Sequence, residues 1–225
     1  MKLQILLLYL LAIISLADDE LLQKEGNNTF AENLLDNSKK HIGLDYWEYK
    51  CDDISSGKER LSYDKKVFFC AYEPKCNLFV YEMLTRSGAQ ISLPNSMGNI
   101  CKLEKALSFS IPTERPPTAG QWFNGEVENT QLIGENDEGL EKSNVGDIIT
   151  DGGHVGIISG YNKTISAGCQ KIIENDFGWR GEKDVRVYRY DSSKVIKVDF
   201  LDSSAIIFLS FRKLIISIFL ILLSL

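Results

Sequence analysis

Only two histidines, His41 and His154, occur in 225 residues. A nucleophile that needs an imidazole base therefore has two candidates. Basic charge is short as well. Lys and Arg number 25 against 31 Asp and Glu, for a formal net charge of −6, and no stretch gathers into a basic patch. That excludes nucleic acid as a partner and excludes capture of anionic polymers by bulk charge. Internal repeats and long low-complexity tracts are also missing, so the length fits one sizeable domain.

Long apolar runs stand only at the two ends. Residues 1–17 read as a secretory signal: Lys2 gives a positive start, residues 3–16 an apolar core, and Ser15-Leu16-Ala17 a small-residue cleavage site ahead of Asp18, Asp19 and Glu20. Residues 214–225 are almost wholly apolar and follow Arg212-Lys213 and the small cluster Ser203-Ser204-Ala205. This layout predicts a GPI-attachment signal. A retained tail anchor over 206–225 and a plain hydrophobic ending are the alternatives. The expected organisation is a signal peptide at 1–17, a leader at 18–29, a domain at 30–201 and an anchoring tail at 202–225. The expected location is extracellular or cell-surface, reached by the secretory pathway, with the membrane engaged through the tail or a lipid. Asn27-Asn28-Thr29 and Asn162-Lys163-Thr164 are glycosylation sequons that fit this route.

Five cysteines are present: Cys51, Cys70, Cys76, Cys101 and Cys169. In an oxidising compartment an odd count leaves one thiol free or paired between molecules, and two disulfides plus one working thiol suit the arithmetic. Cys76 has the best surroundings for the working thiol. It follows Pro74-Lys75 and opens a run with Leu78, Phe79 and Met83 at helical spacing, which puts it at a helix N-terminus. There the exposed N–H groups and the positive dipole end are expected to lower its pKa. The competing reading is a buried or disulfide-bonded structural cysteine.

Thr29 to Glu32 has capping-box form and predicts a helix over 30–39. Residues 41–73 read as loop with a short strand or two, and Gly88 ends the Cys76 helix. Residues 89–120 are irregular, and 115–122 read as a stiff turn into a short helix. Residues 124–144 read as a polar surface excursion. Strand, tight turn and strand follow at 145–150, 151–153 and 154–160, then short strands at 164–167, 171–174 and 185–190, with another over 195–200. Together these predict an α+β domain, its early helices packed on one side of a meandering antiparallel sheet. His41, in a Lys-rich loop-like context, reads as a surface residue. His154 stands at the mouth of the turn, where its ring can face a cleft and serve Cys76 as base.

A cysteine opening a helix, then Gly146-Asp147-Ile148-Ile149, then Gly152-Gly153-His154-Val155-Gly156-Ile157-Ile158-Ser159-Gly160, resembles the NlpC and CHAP group of cell-wall cysteine peptidases and amidases. The resemblance covers roughly residues 30–190. Lys75 to Val80, Pro116-Pro117-Thr118-Ala119-Gly120-Gln121-Trp122 and Asn175-Asp176-Phe177-Gly178-Trp179-Arg180 resemble a bacterial branch of that group. It implies a papain-like core, Cys76 as nucleophile, His154 as general base and bacterial peptidoglycan as substrate. It also implies no metal or other cofactor, and a monomer is expected. The third position departs from the pattern. The strand after the histidine strand offers Ser166, a short side chain that orients imidazole poorly, and a later strand offers Glu174, Asn175 or Asp176, of which Asn175 and Asp176 are favoured. Trp122 and Trp179 sit in matched motifs and either pack in the core or line a substrate groove. Two other functions stay open: a catalytically degenerate wall-binding module, and a transamidase or protease acting on protein.

Overall fold

Thr29 opens the first of the described helices with the reciprocal cap its sequence predicts. In α1 (Phe30–Lys39) the Glu32 N–H donates to Thr29 Oγ1 at 3.3 Å, and the Thr29 N–H donates to Glu32 Oε2 at 2.7 Å. The second bond draws the Glu32 carboxyl below its ordinary pKa. The computed structural model describes residues 29–44, 60–70, 75–96, 113–168, 171–176 and 184–196. The expected signal peptide, leader and tail, the sequon at Asn27, and Trp179 lie outside the described residues. Among the described residues no helix is long and apolar enough to cross a membrane.

After α1 come β1 (Arg60–Leu61) and β2 (Phe68–Phe69), an antiparallel pair, and then α2 (Cys76–Arg86). A second short pair, β3 (Asn95–Ser96) and β4 (Glu114–Arg115), leads to α3 (Ala119–Phe123). The remainder is β5 (Thr130–Glu135), α4 (Asn136–Lys142), β6 (Ile148–Thr150), β7 (Val155–Gly160), β8 (Lys163–Ala167), β9 (Ile172–Asp176) and β10 (Arg186–Tyr190), closed by a 3₁₀ turn at Ser192–Lys194. Six strands form one antiparallel sheet in the order β5-β10-β6-β7-β8-β9. The α+β class is therefore observed.

The sheet corrects the expected meander in part. β6 to β9 do follow one another, but β10 returns across the sheet and inserts between β6 and β5. Residues 124–144 are mostly exposed, as expected, but they also supply the edge strand β5 and the helix α4. An edge strand with one face in water reads as polar, so Leu132 stays exposed while Ile133 packs inward. α4 folds straight back onto β5 because two glycines let the backbones meet. A Cβ on Gly139 would stand 2.5 Å from the Gly134 carbonyl oxygen. The strand expected from 145 starts at Ile148, because the Asp147 carboxylate caps a turn by accepting the Asn144 N–H at 2.7 Å. Of the strand expected over 195–200, Val195 and Ile196 are not in a strand and the rest lies outside the described residues.

One sheet face carries the main core. Ile148, Val155, Ile157, Ile165, Ala167, Ile172, Tyr188 and Tyr190 meet Leu78, Phe79, Val80, Met83 and Leu84 of α2, with Leu34 of α1 behind. α2 is buried nearly all round, which explains a run more apolar than a surface helix carries. Each fully buried side chain of this size stabilises by roughly 1.5–3 kcal/mol. Glu82, buried in the same helix, takes Arg86 Nη2 at 2.8 Å. The opposite face has a smaller cluster of Ile149, Ile158, Val185 and Val187, covered by Ile133 and Leu140.

His41 departs from its expected surface position. It is 8 % exposed, with Nδ1 2.7 Å from Asn37 O and its ring edge-on to Phe79. The last turn of α1 docks on α2 and carries the imidazole in with it. Just beyond, Gly43 N–H donates to Ile172 O at 2.9 Å and Ile172 N–H donates to Leu44 O at 3.4 Å, along the outer edge of β9.

Candidate active site

Cys76 is the first residue of α2, and Gly88, with φ +93°, follows that helix as expected. Lys75 at the N-cap gives no side-chain cap, so the first-turn donors need other acceptors. Cys76 Sγ stands close to one of these donors, the N–H of Asn77, which lowers the thiol's pKa. The next side chain, Asn77, donates from Nδ2 to Pro117 O at 3.2 Å and so ties the start of α2 to the Pro116-Pro117 turn. That turn leads into α3, whose cap pairs Thr118 with Gln121. Asn95 Nδ2 holds the turn from the other side through Pro116 O at 2.9 Å.

The β6–β7 turn completes the group. The Val155 N–H lies near enough to Cys76 Sγ to lower its pKa, so the residue directly after His154 stands close to the sulfur. Thr150 Oγ1 lies 2.8 Å from His154 O and 3.1 Å from Ala119 O, and it accepts the Gly152 N–H at 3.1 Å. The turn is thereby tied to α3 as well as to β6. Cys76, the Pro116-to-Gly120 segment and the His154 turn, three separate motifs in sequence, meet at one place. His154 is half-buried there.

Cys76 is a free thiol and 6 % exposed, whereas Cys70 is disulfide-bonded. Cys51, Cys101 and Cys169, and with them the disulfide pairing, lie outside the described residues. Burial pushes the Cys76 thiol up. The N–H groups of Val155, Asn77 and Cys76 itself pull it down by a smaller amount, and the nearby Asp151 carboxylate adds to the rise. This corrects the expectation of a lowered pKa. The helix start does supply donors, but the sulfur is too far from water for them to prevail.

The later candidates fall elsewhere. Asn175 pairs with Thr164, which pairs with Ile158, so it sits four residues along β7 from His154. At the usual strand rise that is about 13 Å. Asp176 pairs with Lys163, one step further away, and Glu174 is opposite Ile165. The register therefore does not bring Asn175 or Asp176 to His154. Asn175 Oδ1 is buried without a hydrogen-bond partner. Ser166 is the nearer candidate. Its Cβ would lie 3.1 Å from a Cβ built on Gly156, two residues from His154, and it is buried. Trp122 lines no groove. It is 1 % exposed and packs edge-on to Tyr188 in the main core, because α3 presents it inward beside Ala119.

Asp151, Thr150 and Asn77 also build the site, beyond the residues singled out from the sequence. Asp151 Oδ1 accepts the N–H groups of Gly153 at 2.9 Å and His154 at 2.7 Å. Asp before a Gly pair is a signature of such a turn, and that signal was available. Asp147 of the Gly-Asp-Ile-Ile motif is structural: it takes Arg189 through two bonds of 2.8 Å each. Among the described residues no group of three or more His, Cys, Asp or Glu is placed to hold a metal ion. No family model, curated protein or solved structure matches this chain.

Proposed function

We propose that this chain is a cysteine amidase with a papain-like core, secreted or held at the cell surface, that cleaves amide bonds of bacterial peptidoglycan. The observation that carries this reading is that the start of the Cys76 helix and the His154 turn are both tied to residues 117–119, through Asn77 Nδ2 on Pro117 O and Thr150 Oγ1 between Ala119 O and His154 O, with Cys76 a free thiol. In this reading His154 takes the thiol proton as Sγ attacks the scissile carbonyl carbon. The oxyanion is held by the Cys76 N–H and a neighbouring donor. His154 then protonates the departing amine, and water, activated by the same imidazole, releases the acyl group from sulfur. A raised thiol pKa fits a nucleophile that gives up its proton to a base during attack, rather than one stored as thiolate.

The test is incubation of the purified protein with peptidoglycan and mass analysis of the released fragments. Release that disappears in Cys76→Ala and in His154→Ala, with both variants folded, supports the reading. Undiminished release by Cys76→Ala would sink it. A second reading, a wall-binding module without catalysis, is favoured by the distance of Asn175 from His154. It predicts binding to peptidoglycan with no products. A protease or transamidase would instead act in a parallel panel of protein substrates and amine acceptors.

A further inference from the structure

Two successive N–H groups in the β6–β7 turn share one acceptor. Those of Gly153 and His154 go to Asp151 Oδ1, and that of Val155, the next residue, lies near enough to Cys76 Sγ to lower its pKa. The Asp151 N–H closes the same turn by donating to His154 O at 3.2 Å. Gly152 and Gly153 are the residues least able to hold a fixed course unaided, and they lie between the carboxylate and the imidazole. The carboxylate thus sets the backbone from which His154 projects.

We propose that Asp151 is a positioning residue that fixes His154 beside Cys76 by accepting the two turn N–H groups. This rests on the reading of Cys76 and His154 as a nucleophile–base pair. The acceptor and the charge of Asp151 act in opposite senses. The acceptor holds the base in place, whereas the charge disfavours a thiolate at Cys76. Asp151→Asn keeps the acceptor and removes the charge, while Asp151→Ala removes both.

The experiment measures the iodoacetamide alkylation rate of Cys76 in the full chain near neutral pH, followed by mass spectrometry of the Cys76 peptide. Asp151→Asn reacts at least as fast as the unmodified protein. Asp151→Ala reacts about fivefold more slowly than Asp151→Asn, the effect of about one ordinary hydrogen bond. With His154→Ala in the background the two variants react alike, because the acceptor works through the imidazole. Equal rates for Asp151→Asn and Asp151→Ala with His154 present overturn the proposal. A fivefold ratio that survives His154→Ala also overturns it. Should Asp151→Ala fail to fold, Asp151→Ser takes its place, its weaker hydroxyl acceptor giving a rate below that of Asp151→Asn. No peptidoglycan enters the measurement. A protein inert toward peptidoglycan that keeps this pattern refutes the substrate and spares the role of Asp151.

Discussion

The two ends of the β7–β8 ladder are built very differently. At the His154 end the turn is held by Thr150, Asp151 and the start of α3, and the N-terminus of α2 lies beside it, with the Val155 N–H near enough to Cys76 Sγ to lower its pKa. At the Gly160 end the chain passes through a short hairpin turn where Tyr161 is 93 % exposed and Asn162 takes φ +51°. One end gathers three segments far apart in sequence, and the other needs only its own two strands. Chemistry that requires several groups at fixed distance belongs at the first end. Asn175 lies toward the second, although its place in the sequence motif made it attractive.

The largest test of this contrast is loss of the pair itself. If the proposed amidase reading holds, Cys76→Ala and His154→Ala each lower release of peptidoglycan fragments by on the order of a thousandfold or more. Thr150→Val strikes the same end without touching the pair. It removes the acceptor for Gly152 and the donor shared by His154 O and Ala119 O, at an expected cost of about 1–3 kcal/mol in urea denaturation. Its Cys76 alkylation should slow as well.

The pH dependence comes next. The protonated thiol is the neutral form, and burial favours it, so the alkylation rate of Cys76 should still be climbing above the pH at which free cysteine levels off. Stability has a matching sign. Because the folded pKa lies above the unfolded one, the contribution of Cys76 is complete below the unfolded pKa and is lost as pH rises toward the folded value. Denaturation at neutral and alkaline pH, compared with Cys76→Ser, should show a larger alkaline loss for the native chain. The smallest effect is expected from Asn175→Ala, which should leave Cys76 reactivity within about twofold, as for a site remote from the pair. A tenfold loss there would bring the two ends of the ladder into one mechanism and break the contrast.

How much could be read beforehand follows the range of each signal. α1 was legible because its cap and apolar spacing lie within one short segment, and β6 to β9 because alternation and turns are local. Cys76 at a helix start and His154 at a turn were legible for the same reason. The insertion of β10 between β6 and β5 was not, since strand order depends on contacts across more than thirty residues. β5 was hidden by its polar edge, and α4 by a glycine contact that no periodicity records. His41 looked exposed because its neighbours Lys39 and Lys40 are charged, while the docking of α1 on α2 decided its burial. The thiol pKa was misjudged in the same way: the donors are local, but the burial is tertiary.

The pairing of Gly43 and Leu44 with Ile172 has a further consequence. β9 is the last strand of the sheet, and a bare last strand is a template on which other chains can add. The short segment after α1 occupies both main-chain groups of Ile172 and blunts that edge. The N-terminal helix and its tail thus act as a guard against self-association as well as a cover for the core. A protein begun after Leu44 would uncover the edge and should form soluble oligomers or fibres at concentrations where the full chain stays dispersed.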